Sequence, residues 1–405
     1  MDETTSRPHP EQRSAPRLGT LAARGVDTRS RGSVNVPVQR ASTILYDDVD
    51  DYASRHAGFY DRVTYGLYGT DTTFALAADV AALEGGHRTV VTSSGTAAIA
   101  LSLSAVVNAG DHLLVADTVY GSTRKFCEDV LRRFGIETEY FDPVSIDDLA
   151  RRFRPNTRAV FLEAPGSHTF EMIDVPAASE LSRTRGAVTL MDNTWATPIG
   201  FRPLAHGVDI SIQSATKYFS GHSDVMLGTV TTAEPELYAR VKDAVGRFGC
   251  NASPDDCYLV HRGLRTLDVR LRRHWATAEK LIDWLSRRPE VVRILYPALA
   301  DDPGHALWSR DFTGASGLFG LVLQPHFAGR RHALFDALQL FKLGSSWGGF
   351  ESLMVPAAPF PVRSCRPAPD DGYLVRLHAG LEHVDDLIED LDRAFASARS
   401  AEAGA

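Results

Sequence analysis

The sequence is short of several things that would each announce a function. It has four cysteines in 405 residues, Cys127, Cys250, Cys257 and Cys365, scattered and with no CxxC pair. That spacing offers neither a disulfide framework nor paired zinc ligands, so reduced structural thiols and no metal are expected. No basic run exceeds short clusters such as Arg270–Arg273, and 43 Lys and Arg against 51 Asp and Glu give a formal net charge of −8. Nucleic acid is therefore not an expected partner. The longest apolar stretch, TAAIALSLSAVV, is broken by serines and falls short of a membrane span, so no membrane partner is expected either. The N-terminal MDETTSRPHPEQRSAPR lacks the apolar centre of a signal peptide, which points to a cytoplasmic protein with a disordered tail over residues 1–17. Neither GxGxxG nor GxxxxGK[ST] occurs, which removes the main support for dinucleotide or P-loop binding.

What is present is an alternating chain. At 405 residues, 44% hydrophobic and 23% charged, it is expected to form two domains of an ordinary globular protein. GSVNVPVQRASTILYDD reads as an extended arm, and FALAADVAALEGG as a helix stopped by Gly85-Gly86. From residue 88, RTVVTSSG, DHLLVADTVY, TEYFD, AVFLEAP, AVTLMDN and DISIQSATK read as apolar strands, with TAAIALSLSAVVNAG and STRKFCEDVLRRFG as helices between the first of them. Near-continuous apolar strands of this kind imply an α/β fold with a mostly parallel sheet covered on both faces. A second unit starts near residue 253, where Ser253, Pro254 and Asp255-Asp256 spell a helix start. That helix, in two pieces, leads to the strands GLFGLVLQ and YLVRLHAG and a last amphipathic helix, HVDDLIEDLDRAFASA.

In a parallel sheet, ligands sit beyond the carboxyl ends of the strands. Ser93-Ser94-Gly95, Tyr120, Glu163, Asp192 and Lys217 all fall at such ends. Each has an ordinary alternative: a steric Gly/Ser turn, simple aromatic packing, a capping carboxylate, a surface lysine. Lys217 is the hardest to dismiss, because it closes the buried run DISIQ, where an ammonium is costly. A desolvated lysine near other positive charge loses its proton and can form a Schiff base with a carbonyl. Together the positions describe one ligand: a phosphate on a helix N-terminus, a ring stacked on Tyr120, a ring nitrogen paired with Asp192 and an aldehyde on Lys217. That ligand is pyridoxal 5′-phosphate, whose pyridinium needs an acidic partner.

The motifs ALEGG, SSGTAAIA, GDHLLVADTVYGSTRKFC, FLEAPGS, MDNTWA, SIQSATKYFSGHSDVMLGT, HRGLRTLDVRLRRH, RDFTGASGLFG, SSWGGFESL and VRLHAGLEHVDDLI then become recognisable. From about residue 18 to 398 the sequence resembles the Cys/Met-metabolism family of pyridoxal-phosphate enzymes, and within it the cystathionine β-lyases. The resemblance implies fold type I, an aspartate-aminotransferase-like cofactor domain with a smaller α+β C-terminal domain. It also implies an arm over 18–70 that contributes to a neighbouring subunit, a cofactor domain over 71–252 and a C-terminal domain over 253–405. Self-association as a homotetramer of dimers is expected on the same ground.

By the same resemblance Lys217 is the Schiff-base lysine and the acid/base at Cα. Asp192 meets the pyridine nitrogen, and Tyr120 stacks on the ring and is a second catalytic group. Ser94, Gly95, Thr96, Ser214 and Thr216 hold the phosphate, with Tyr65 reaching it from the neighbouring subunit. Arg376, Ser346, Trp347 and Ser345 face the amino-acid substrate. FLEAPGS and SSWGG are the β-lyase spellings. The implied reaction is α,β-elimination on cystathionine or a related sulfur amino acid, giving a thiol, pyruvate and ammonia. Three departures open an alternative. Leu67 stands where the family has a phosphate-clamping arginine, with Arg62 nearby. Ser345 stands at a distal pocket position, and Gly246 stands where a pocket tyrosine is expected. The alternative is γ-elimination or γ-replacement on a non-standard amino acid carrying sulfur or halide on Cγ. A catalytically silent cofactor binder would require loss of Lys217, Asp192 or Arg376, and all three are present.

Overall fold

The computed structural model describes residues 16–26, 33–55, 59–357, 363–365 and 371–401, so most of the expected tail lies outside it. Seven strands form the larger sheet: β1 (Arg88–Thr92), β2 (His112–Ala116), β3 (Glu137–Phe141), β4 (Thr157–Glu163), β5 (Val188–Asp192), β6 (Ile210–Ser214) and β7 (Gly228–Thr232). Their order is β1-β7-β6-β5-β4-β2-β3. β3, β2, β4, β5 and β6 run parallel, and β7 is antiparallel to both its neighbours, β1 and β6. β1 therefore points the same way as the parallel set, and the carboxyl ends of β1, β2, β4, β5 and β6 share one edge.

The six strands read from the sequence are all present, and β7 is an addition. GTVTT carries three threonines, yet the whole strand is buried; Thr231 Oγ1 meets Thr89 Oγ1 of β1 at 2.8 Å. The helix Asp71–Glu84 ends at Gly85, which adopts the left-handed conformation at φ 70°. STRKFCEDVLRRFG is helical to Gly135 but in three segments: α-helix Gly121–Lys125, a π-type turn Phe126–Leu131 and a 3₁₀ turn Arg132–Phe134.

A second sheet holds β8 (Val291–Leu295), β9 (Leu318–Leu323), β10 (Leu353–Pro356) and β11 (Tyr373–His378). It is antiparallel in the order β10-β11-β9-β8. Ser253 Oγ caps the helix Pro254–Leu264 through the Asp255 amide, and a second helix, Leu267–Leu285, follows, so the two-piece reading holds. On the final helix, Val384–Ser400, the expected stripe faces the core, with Leu387, Leu391 and Phe395 fully buried and Ile388 partly so.

The start of the arm packs on its own chain. Helix Leu18–Arg24 lies against Leu267–Leu285, and the Val26 amide donates to Asp79 Oδ1 at 2.7 Å. Asp79 is buried with His261 Nε2 at 2.7 Å and Arg265 Nη1 at 3.0 Å, which ties three elements together around one carboxylate. Residues 33–46 carry no regular structure and clasp the chain through the Gln39 amide to Thr72 Oγ1 (2.8 Å) and through Arg40 on Asp255.

Candidate active site

One cavity, of about 170 Å³, opens at the shared strand edge. Its walls include Ser94, Gly95, Thr96, Tyr120, Asp192, Ser214, Thr216, Lys217, Ser345, Trp347 and Arg376. The chain thus brings together eleven positions that the sequence assigned to cofactor or substrate. Ser346 joins them through its hydroxyl, which accepts from Lys217 Nζ at 2.7 Å. Tyr65 does not. It is half-exposed in a separate groove with Tyr46 and Tyr68, so this chain does not deliver Tyr65 to its own cavity.

The floor is built by backbone contact. Helix Gly95–Val106 begins at the end of β1, and Ser94 Oγ caps it by accepting the Ala97 N–H at 3.1 Å. A Cβ on Gly95 would sit 2.6 Å from Ser214 Oγ, so only glycine lets β6 approach the helix head. Gly228 is forced in the same way, because its Cβ would meet the Ser94 carbonyl at 2.2 Å. The result is a helix N-terminus of amides and hydroxyls suited to an anion. Thr216 Oγ1 is engaged in a reciprocal pair with the Leu227 backbone, accepting its N–H at 3.0 Å and facing its carbonyl at 3.2 Å.

Asp192 ends β5 and is only 9% exposed. Its Oδ1 accepts the Thr194 amide at 3.0 Å and the Thr194 hydroxyl at 2.5 Å, an orientation that leaves Oδ2 for a further partner. Burial raises its pKa, while the Thr194 bonds and Lys217 work in the opposite direction. Its register neighbour on β4 is Glu163, which also lines the cavity. Burial, and then the adjacent Asp192 charge, push the Glu163 carboxyl well above its usual range. Glu163 Oε2 accepts the Tyr120 amide at 2.7 Å and so fixes the residue that ends the β2 loop. The sequence placed Glu163 at a strand end but gave it no role.

Lys217 follows β6 by three residues. Burial, reinforced by the positive charge of Arg376, lowers its pKa from 10.5 to about 8, against the pull of Asp192. Its backbone turn is held from behind. Arg270 is buried and donates to the carbonyls of Tyr218 (2.8 Å) and Gly263 (2.8 Å), and burial lowers its pKa to about 10. Arg270 belongs to a cluster weighed above as a short basic run; its partners are carbonyls, and no sequence pattern announces those.

The second sheet supplies the far wall. Trp195 Nε1 donates to the Leu318 carbonyl at 2.9 Å, which joins the two sheets. The SSWGG loop lies against the turn at Lys217, where Gly348 has φ 87° and a Cβ would fall 2.9 Å from the Tyr218 amide. The Trp347 ring centroid is 5.5 Å from Lys217 Nζ. Arg376 on β11 is partly buried, its Nη2 donates to the Ser346 carbonyl at 3.1 Å, and no carboxylate pairs with it among the described residues. Such a guanidinium is ready for an anionic ligand.

The three departures are also located. Leu67 lies in a small separate cavity with Lys242, and Arg62 is turned to Ser54 and Asp51. Gly246 is not on the cavity wall: a Cβ there would meet the Tyr68 ring at 2.5 Å, so its lack of a side chain serves packing. Ser345 does line the cavity.

A buried acid with one free oxygen, a lysine whose pKa is lowered and a glycine-forced anion cradle at one strand edge fit pyridoxal phosphate. They define a fold type I pyridoxal-phosphate-dependent enzyme, and the two-sheet architecture agrees. The chain belongs to the Cys/Met metabolism PLP-dependent enzyme family, whose model matches residues 19–396. It is 48% identical over 371 residues to a putative cystathionine β-lyase of Rhizobium johnstonii, covering 91% of this chain and 92% of the relative. It is 42% identical over 374 residues to the cystathionine β-lyase of Escherichia coli, covering 90% and 94%. Among solved structures, the cystathionine γ-lyase of Lactobacillus plantarum complexed with L-serine superposes with a TM-score of 0.87 at 30% identity, over 95% of this chain and 100% of the other.

Proposed function

We propose that the chain is a carbon–sulfur lyase that performs α,β-elimination on cystathionine or a closely related sulfur amino acid, releasing a thiol, pyruvate and ammonia. One observation carries this reading: Lys217, its pKa lowered to about 8, feels the charges of Asp192 and of Arg376, which has no acidic partner among the described residues. The β-lyase names of the relatives support the choice of substrate.

In this reading Lys217 holds the cofactor aldehyde, Asp192 the ring nitrogen and Tyr120 the ring face. Ser94, Gly95, Thr96, Ser214 and Thr216 surround the phosphate. When bound, the cofactor supplies an electron sink that makes the Cα proton acidic. Arg376 and Ser346 bind the α-carboxylate, with Trp347 in the substrate pocket, and so turn the Cα proton toward Lys217 Nζ. Once the substrate amine has replaced it on the aldehyde, the freed Lys217 amine would take that proton as general base. Tyr120 or Lys217 protonates the departing thiolate, and the three-carbon remainder hydrolyses to pyruvate and ammonia. With cystathionine the thiol is homocysteine, and Ser345 faces the distal part of the substrate.

The same reading assigns residues 18–70 to an arm, 71–252 to the cofactor domain and 253–405 to the C-terminal domain. It places Tyr65 on a neighbouring subunit's phosphate within a cytoplasmic homotetramer. The position of Tyr65, outside its own chain's cavity, supports the shared site. Lys217→Ala is expected to abolish turnover while the protein still folds and binds the cofactor non-covalently; full activity in that variant would sink the assignment.

A further inference from the structure

β11 ends at His378, two residues beyond Arg376 and so on the same face of the strand. His378 is buried and stands outside the reaction set out above. Both of its ring nitrogens are nevertheless in use. The Gly348 amide donates to Nε2 at 3.0 Å, and Nδ1 lies 3.1 Å from the Glu351 carbonyl. A nitrogen that accepts carries no proton, and a carbonyl can only accept, so the two bonds require one form of the ring: neutral, with its proton on Nδ1. Burial, and then the neighbouring His274, Arg376 and Lys217, hold the imidazole well below its ordinary pKa of 6.5 and keep it in that form.

The two bonds grip the SSWGG loop where it lies on the lysine. A Cβ on Gly348 would fall 3.1 Å from Lys217 Cβ, so the loop backbone rests directly against the residue that carries the amine. The His378 ring packs behind the same turn, its centroid 5.9 Å from that of Tyr218. Ser346, two residues before Gly348, is where the loop meets the amine, through the 2.7 Å bond from Lys217 Nζ. Gly348 is buried, and a buried amide that loses its acceptor is costly. Without His378 the loop must turn to find another partner for that amide, and Ser346 moves with it because only Trp347 lies between.

We propose that His378 is a positioning residue for proton transfer at Cα: by accepting the Gly348 amide it holds Ser346 Oγ on Lys217 Nζ and so aims the amine. The inference rests on the reading of Lys217 as the base at Cα. His378 itself touches neither cofactor nor substrate. An amine released from Ser346 points its lone pair at the Cα proton for a smaller share of the time, so the loss falls on the rate of transfer rather than on binding.

Two substitutions separate the two ring nitrogens. Gln Oε1 stands as many bonds from Cβ as His Nε2, and Asn Nδ2 as many as His Nδ1. His378→Gln therefore keeps an acceptor for Gly348, whereas His378→Asn keeps only the donor to Glu351. Each holoenzyme is incubated with L-alanine in D₂O, and loss of the Cα proton is followed by NMR. Alanine has no leaving group, so the exchange reads removal of the proton and return of a deuteron, whichever carbon bears the leaving group of the true substrate. His378→Asn is expected to slow exchange at saturating alanine by about tenfold with the half-saturating concentration unchanged, and His378→Gln to recover most of the rate. In a Ser346→Ala background His378→Asn should add less than about twofold, because the contact it acts through is already gone. Equal exchange in wild type and His378→Asn overturns the proposal. So does equal slowing in both variants, or an undiminished effect in the Ser346→Ala background, which would make His378 a packing residue only. Exchange in Lys217→Ala as fast as in wild type removes the lysine reading and the proposal with it. If wild type releases no pyruvate from cystathionine but the exchange pattern stands, the β-lyase reading alone fails.

Discussion

Lys217 Nζ donates to Ser346 Oγ across 2.7 Å, although 129 positions separate the two residues. The contact joins the strand edge of the larger sheet to the SSWGG loop of the smaller one. It holds the amine where burial and Arg376 can both act on it.

That arrangement fixes a pH dependence. Only the neutral amine attacks an aldehyde. The rate at which the apoprotein captures pyridoxal phosphate should therefore rise with pH through about 8 and level off above it. Arg376→Gln removes a charge that disfavours the ammonium, so its profile should move upward, toward the ordinary lysine value. Asp192→Asn removes a charge that favours the ammonium and should move the profile downward. Stopped-flow capture rates from pH 6 to 10 check both directions.

A second prediction concerns stability away from the cavity. Glu84 is fully buried, accepting from Gln213 Nε2 (2.9 Å) and Ser211 Oγ (3.0 Å), and burial pushes its carboxyl from 4.5 up to about 7. The folded chain keeps a proton there that the unfolded chain releases. Stability should therefore fall as pH rises from about 4.5 to 7 and then level off, by on the order of 1–3 kcal/mol from this group. Glu84→Gln lacks the titration, so urea midpoints of variant and wild type should diverge in the variant's favour across that window. Parallel curves would rule the mechanism out.

Gly95→Ala tests the anion cradle. The added methyl would lie 2.6 Å from Ser214 Cβ and Oγ and must push β6 from the helix head. Overpacking of this kind costs roughly 1–3 kcal/mol. The variant should remain folded by circular dichroism but bind pyridoxal phosphate at least about tenfold more weakly. Unchanged cofactor affinity would mean that the contact is not part of the phosphate site.

Much of this site was legible in the sequence because parallel strands announce themselves as unbroken apolar runs. The residue that ends each run must lie at the common edge, so Asp192 and Lys217 could be placed before any coordinates. β7, β8 and β10 were harder. β7 is threonine-rich, and of its three hydroxyls only that of Thr231 pairs across the sheet. β8 is half-exposed, and β10 is four residues long and ends in Pro356. Gly246 misled in the opposite direction: it was counted as pocket space, whereas the Tyr68 ring occupies the place of its missing side chain. Side-chain identity located the chemistry, and tertiary contacts decided which departures touch it.

The central claim is that the proton taken at Cα by Lys217 leads to loss of a leaving group from Cβ. Incubating the holoenzyme with L-cystathionine and identifying the keto acid and thiol tests this most directly. Pyruvate with homocysteine, absent in Lys217→Ala, is the predicted result; 2-oxobutyrate with cysteine would contradict it and place the bond cleavage at Cγ.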